Sequence, residues 1–284
     1  MTYSKLSLLA AVSILGVSSL GAQTSYNFNV DQTDFNNTFV GPAVSTTNFS
    51  ASWNATAGAN STGGLVTDSS QRTAYYGSTV GQFTTNGDTR FVSYYFKAGI
   101  NGTTNASGNT GVGFNTANNV GLQTGTYVFA NVNSTANDGT NYTASQLQIS
   151  YRNNGTGAVV SDAATFALVQ NNWYQLRLDL TYSGSNLFSA TAALYNWGAD
   201  GLTGGSQLAS FASSALTGSA GGNLSTLVNT NLNAGFWGRT SNSGVRAMAI
   251  DNFSVTAIPE PSTYAAVAGL GVLALVAFRR RRVS

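Results

Sequence analysis

The most regular stretch of the chain is Trp173–Tyr182. Tyr174, Leu176, Leu178, Leu180 and Tyr182 alternate with Gln175, Arg177, Asp179 and Thr181. A sustained period of two predicts a strand with one face buried and the other wet. Leu147, Ile149 and Tyr151 alternate in the same way with Gln146, Gln148 and Ser150. Phe188, Ala190, Ala192 and Leu194 form another such face, as do Tyr26, Phe28 and Val30 near the start. Phe91–Phe96 and Tyr127–Val132 are apolar on both parities, the pattern of strands inside a sheet covered on both sides. Between Gln23 and Ala257 no stretch carries the helical period. Asn86-Gly87, Asn101-Gly102, Asp138-Gly139, Asn154-Gly155 and Asp200-Gly201 punctuate the strands, and such pairs suit tight hairpins. The expectation is an all-β domain: an antiparallel two-sheet jelly-roll sandwich.

The last strand breaks phase. Met248 and Ile250 fall on one parity, Phe253 and Val255 on the other. An extra residue near Asp251-Asn252, as in a β-bulge, would bring both pairs to one face. Alternatively Ala247, Ala249, Phe253 and Val255 share the buried face with no bulge. Both readings fit the sequence.

The two ends have a different texture. Lys5, the apolar run Leu6–Leu20 and then Gly21-Ala22-Gln23 make the three regions of a secretory signal peptide. Residues 1–22 are read as that signal, with cleavage after Ala22 or, nearly as well, after Gly21. At the other end, Pro259-Glu260-Pro261 precedes the uncharged segment Tyr264–Phe278, which runs into Arg279, Arg280, Arg281 and Arg282. As a helix that segment spans about 22 Å, short of a hydrocarbon core of about 30 Å. Ser262 and Thr263 extend it, and the arginines snorkel toward the head groups. Four adjacent positive charges stay cytoplasmic, so the body lies outside and the Arg cluster inside. Two of the chain's three prolines sit in the motif. They hold the backbone extended just outside the membrane, the form a protease cleft accepts.

Charge sharpens this division. Only 8% of residues are charged, against 42% hydrophobic and 11% aromatic; the apolar content argues for a folded body rather than disorder. The formal charge is +2, but Lys5 and Arg279–Arg282 belong to the ends, which leaves seven Lys or Arg against nine Asp and a net −2 for residues 23–257. No basic face for nucleic acid is indicated.

The C-terminal order of Pro-Glu-Pro, apolar helix and arginine cluster is similar to the PEP-CTERM sorting domain. That resemblance covers residues 258–284. It implies recognition by exosortase, an integral-membrane cysteine protease-transpeptidase, at Pro259, Glu260 and Pro261, with Arg279–Arg282 as the basic end. It also implies an inner-membrane intermediate with its body in the periplasm, and then release or transfer to the envelope or extracellular space. Such proteins belong mainly to Gram-negative bacteria that make exopolysaccharide or biofilm, so exopolysaccharide is an expected neighbour. The body, with its Trp173-Tyr174 strand, the long strand after it and the closing Ile250-Asp251-Asn252-Phe253-Ser254-Val255, resembles concanavalin-like or laminin-G-like jelly rolls over residues 90–256.

Candidate chemistry is sparse. There is no His and no Cys, and the only Glu is Glu260. Ser-His and Cys-His nucleophile systems are therefore absent, as are zinc sites built on His and Cys. Concanavalin-like glycosidases resembling laminarinase use paired glutamates, and residues 23–257 have none. Two of the nine Asp would have to serve instead; Asp31 and Asp34 are the one close pair. No cofactor is expected. A structural calcium ion is the metal that the residue types allow, at Asn137-Asp138-Gly139 or Asn196–Asp200. By strand parity Trp197 falls opposite Phe188, Ala190 and Leu194, on the outer face, and is the candidate glycan contact. The sequence therefore reads as an exported, non-enzymatic surface or matrix protein, with a carbohydrate-binding lectin-like module and an Asp-based polysaccharide hydrolase as alternatives.

Overall fold

Alternation becomes architecture in the computed structural model, described over residues 23–26, 51–67, 72–99, 108–116, 125–137, 141–153, 156–214, 216, 224–239 and 246–257. Two antiparallel sheets pack face to face. The eight-stranded sheet runs, in spatial order, through Ser206–Ser213 (β13), Phe188–Asn196 (β12), Trp173–Tyr182 (β11), Thr89–Gly99 (β5), Arg246–Ala257 (β15), Gly64–Thr67 (β3) and Ala51–Asn54 (β2). Gln23–Tyr26 (β1) also pairs with β15, with Gln23 opposite Thr256 and Tyr26 opposite Phe253. The seven-stranded sheet runs through Phe166–Val169 (β10), Asn141–Asn153 (β8), Tyr127–Asn137 (β7), Gly108–Asn115 (β6), Asn233–Arg239 (β14) and Arg72–Thr79 (β4). Thr156–Ser161 (β9) pairs with β8 beside β10. No α-helix occurs among the described residues, only 3-10 turns at Ala59–Ser61 and Ser225–Leu227.

The core lies between the sheets and is built from the parities read in the sequence. From one sheet come Val92, Tyr94, Phe96, Leu176, Leu178, Leu180 and Phe188; from the other come Val112, Phe114, Val128, Ala130, Val132, Leu147 and Ile149. Tyr94 stacks on Phe236 of the opposite sheet at 5.5 Å between ring centres. Its hydroxyl bonds that of Thr110 on β6, so the one polar atom it carries inside is matched. Tyr142 likewise crosses the core and donates to the Gly99 carbonyl at 2.7 Å. At one end Arg90, only 5% exposed, donates to the carbonyls of Val80 and Gln82 and lies 5.0 Å over the Phe83 ring.

β5 pairs with β11 and β15, and β7 pairs with β6 and β8; both stretches read as apolar on two faces are interior strands. The phase break in β15 is a bulge. Asp251 stands opposite Tyr95 and Ser254 opposite Ser93, so three steps on β15 match two on β5. Asn252 takes a left-handed φ of 48°, and Ile250, Phe253 and Val255 all join the core. The bulge-free reading, with Ala249 on the core face, is set aside: Ala249 packs with Trp173 and Ala59 on the other side of the sheet.

Asn86-Gly87 and Asp200-Gly201 lie in turns, with φ of 96° at Gly87 and 75° at Gly201. The strands on either side of Asn154-Gly155 pair up to Asn153 opposite Thr156. Asn101-Gly102, Asp138-Gly139 and Asn154-Gly155 themselves lie outside the described residues, as do Phe28, Val30 and the whole of residues 1–22 and 258–284. Among the described residues no helix is long and apolar enough to cross a membrane; the expected helix Tyr264–Phe278 falls outside them.

Candidate functional site

Because side chains alternate along each strand, packing Val128, Ala130 and Val132 inward turns Tyr127, Phe129, Asn131 and Asn133 out of the seven-stranded sheet. The register lines these up with outward residues of the neighbouring strands. Gly111, Asn131 and Gln148 form one row; Gly113, Phe129, Ser150 and Val159 form the next; Asn115, Tyr127 and Arg152 form a third. Asn133 and Gln146 flank them on the other side. The Tyr127 and Phe129 rings lie 4.8 Å apart. Burial raises the Tyr127 hydroxyl above its ordinary pKa, opposed by the charge and hydrogen bond of Arg152.

Gly113 makes room for this arrangement. A Cβ there would lie 2.1 Å from the Val128 carbonyl oxygen and 2.4 Å from Cδ1 of Phe129, and the first of those is backbone that cannot yield. Asn131 is 2% exposed. Its Nδ2 donates to Ser150 Oγ at 2.5 Å, while its Oδ1 is buried without a partner. A buried acceptor left open is uncommon and costs on the order of 1–3 kcal/mol. In these rows Arg152 is the single charge among amides, a serine, glycines, a valine and two rings.

The opposite face of the molecule carries a second cluster. Trp173, 1% exposed, packs with Ala59 and Ala249, and Tyr95 and Trp197 close over them. Trp197 is on the outer side of the eight-stranded sheet, where parity placed it. Its ring centre is 5.6 Å from that of Tyr95. Gly205 comes so near that a Cβ would lie 3.0 to 3.2 Å from three carbons of the indole ring. The indole Nε1 is buried with no partner. Beside Ala59 of this cluster Asp251, 1% exposed, accepts from the amides of Ala59 at 3.0 Å and Asn252 at 2.7 Å and from the Thr62 hydroxyl at 3.4 Å. It thereby ties the segment before β3 down onto the bulge of β15. Burial pushes its carboxyl up to about 6 against the pull of those donors.

The described aspartates each hold local structure. Asp88 accepts from the amides of Thr84 and Thr85, and Asp179 pairs with Arg177 at 2.7 Å. Asp162 accepts from Ala164. Asp200 accepts from the amides of Leu202 and Thr203 and from the Thr203 hydroxyl, which hold its carboxyl below the ordinary range. Asn196 Oδ1 is taken by the Gly198 amide at 2.9 Å. The Asn196–Asp200 segment thus turns its oxygens to its own backbone, and among the described residues no group of three acidic or other metal-ligating side chains gathers. Asp31, Asp34, Asp68 and Asp138 lie outside them.

The geometry defines a sparsely charged two-sheet β-sandwich. The C-terminal sequence adds its destination: residues 257–282 match the family description PEP-CTERM protein-sorting motif. The chain carries that sorting motif, which implies export and exosortase-dependent processing from a C-terminal membrane signal. Comparison with curated proteins finds no match. Among solved structures, lectin II from Ulex europaeus is similar at 11% identity and a TM-score of 0.45, over 82% of this chain and 97% of the lectin. A protein of unknown function from Shewanella oneidensis MR-1 is similar at 16% identity and 0.44, over 90% and 96%. An endo-1,3-beta-glucanase from Streptomyces sioyaensis is similar at 11% and 0.43, over 84% and 96%. These are likenesses of outline, and the architecture above rests on its own ladders.

Proposed function

We propose that the protein is a non-enzymatic component of the cell envelope or extracellular matrix, exported by residues 1–22 and then cut from its membrane tail near Pro259-Glu260-Pro261 by an exosortase. The observation that carries this is the sorting motif at residues 257–282, joined directly to a sandwich whose last strand ends at Ala257. In support, every described aspartate serves a turn, a clasp or an ion pair. Mass spectrometry of protein from the native envelope should find a C-terminus between residues 257 and 263. Replacing Pro259, Glu260 and Pro261 with Ala should leave the full-length chain in the inner membrane. Replacing Arg279–Arg282 with Ser should impair retention and orientation. Intact C-termini ending at Ser284 in a host with its exosortase would overturn the reading.

A second reading, that the sandwich also holds a carbohydrate, is favoured by the half-buried Tyr127, Asn133, Gln146 and Gln148 on the outer side of the seven-stranded sheet. Amides both donate and accept, and the Tyr127 ring offers flat apolar area; a neutral polyhydroxylated chain asks for both. Affinity electrophoresis in gels containing neutral polysaccharides should retard the wild-type protein. Tyr127→Ala and Gln148→Ala should release it without altering the circular dichroism. Trp197→Ala tests the contact expected from parity; here its ring already serves Tyr95 and Gly205. Unretarded migration in every neutral glycan would remove carbohydrate binding and leave the sorting reading untouched.

A further inference from the structure

The outer side of the eight-stranded sheet carries a second ordered set of rings and amides, apart from the residues used above. Tyr94, Phe96, Leu176, Leu178 and Leu194 lie in the core, so the residues between them along each strand point outward. The ladders set these side by side. Tyr95, Gln175, Tyr195 and Gln207 stand opposite one another on β5, β11, β12 and β13. On β15 the row ends at Asp251, which is buried in its clasp with Ala59 and Thr62. Tyr95, Gln175 and Tyr195 are half-buried, and Gln207 is exposed.

The surroundings keep this row firm and uncluttered. Tyr95 is braced by Trp197, with 5.6 Å between ring centres. Gln175 is steadied by Ser93, whose hydroxyl lies 3.5 Å from its Nε2. The neighbouring row holds the small, buried side chains of Ser93 and Ala193 on either side of Arg177. Arg177 leans away from the tyrosines: its Nε bonds Asp179 at 2.7 Å and its guanidinium lies 4.6 Å over the Phe91 ring. Its charge is thereby matched within the next row, where Phe91 and Asp179 stand opposite each other.

We propose that Tyr95, Gln175, Tyr195 and Gln207 form a platform for a neutral, cellulose-like polysaccharide lying across the strands. The site is separate from the carbohydrate reading of the seven-stranded sheet and stands or falls without it. Spacing selects the occupant. Tyr95 and Tyr195 stand on strands two apart, with β11 between them, so their backbones are about 10 Å from each other, twice the separation of neighbouring strands. In a cellulose-like chain each sugar is turned over relative to the last, and the same face returns at every second unit, close to that distance. Each tyrosine then offers apolar area to the same face of alternate sugars. Gln175 lies under the sugar between them, where an amide both donates to and accepts from hydroxyls. Gln207 repeats that contact one sugar further on.

The chain has no cysteine, so one introduced thiol reports local cover without background. In the full-length protein, held in a detergent without sugar head groups, cellohexaose at several times its Kd should slow maleimide labelling of Gln207→Cys about fivefold. Isomaltohexaose, an α-linked chain of the same length, should not. Adding Tyr195→Ala should remove the protection and Tyr195→Phe should keep it, both with unchanged circular dichroism. The proposal is overturned by labelling that cellohexaose does not slow, by protection that survives Tyr195→Ala, or by equal protection from isomaltohexaose. Val159→Cys reports on the outer side of the other sheet. Protection there with none at Gln207→Cys would also overturn the proposal, while upholding the reading that places a carbohydrate beside Tyr127.

Discussion

Asp251 is a buried carboxyl group that holds two distant parts of the chain together. In the chain it is one of nine aspartates in a turn-rich domain; in the fold it is buried opposite Tyr95 and clasps the segment of Ala59 and Thr62 from the other end of the body. Burial raises its carboxyl from 3.8 to about 6, so the folded state holds the proton more tightly than the unfolded chain does. Its contribution to stability is therefore present below pH 4 and is withdrawn as pH rises through about 6, by on the order of 2 kcal/mol. Asp251→Asn should abolish this dependence. In urea unfolding between pH 4 and pH 7, the stability of wild type relative to the variant should fall as pH rises. Parallel curves would show that the group does not titrate in that window. None of this was legible in the sequence, because burial came from Ala59 and Thr62, which no local pattern connects to β15. Asn131 is similar: alternation alone turns it away from Ala130 and Val132, but only the register beside Ser150 and Gln148 makes it part of a row.

At the scale of elements the sequence was a better guide. Period-two alternation located β8, β11 and β12 with the correct inward residues, since a half-buried strand needs only its own parity to be recognised. The two-sided apolar runs located the interior strands β5 and β7. The bulge was visible only as a parity conflict, resolved once Ile250 and Phe253 had to reach the same core. Its pivot is Asn252 in a left-handed conformation, one that Asn and Gly tolerate and β-branched residues resist. Asn252→Gly should change stability by less than about 0.5 kcal/mol, whereas Asn252→Val should cost about 1–2 kcal/mol. Denaturant midpoints measured side by side check this; equal losses in both would mean that the side chain, not the backbone, matters there. β2, β3, β4, β6, β9, β10, β13 and β14 were not legible in this way. β13 sets only the half-buried Ala209 and Phe211 against the core, while Leu208 beside its irregularity is exposed, so its alternation is faint.

For the whole molecule, the expectation of one domain over residues 23–257 makes a direct prediction. That fragment should be soluble, β-rich by circular dichroism and cooperative in thermal unfolding, because one continuous core joins the sheets. A disordered spectrum would contradict it. The sandwich class followed from turns, alternation and the absence of helical periods, whereas which strand lies beside which did not. Pairs such as β5 with β15 and β1 with β15 join segments far apart in the chain, and nothing local records them.

The pairing of β1 with β15 also has a consequence in time. Gln23 stands opposite Thr256, so the first residue freed by the proposed signal cleavage and nearly the last before the sorting motif share one rung. A chain crossing the membrane from its N-terminus must wait with β1 unmatched until β15 has emerged. Adjacent strands are about 4.7–4.9 Å apart, so completing that rung draws both membrane-proximal ends of the body to a single point. Closure of the domain and arrival of the Pro-Glu-Pro segment outside the membrane thus become nearly the same event. An enzyme waiting at the membrane for that segment would meet it on bodies that have just acquired the means to close.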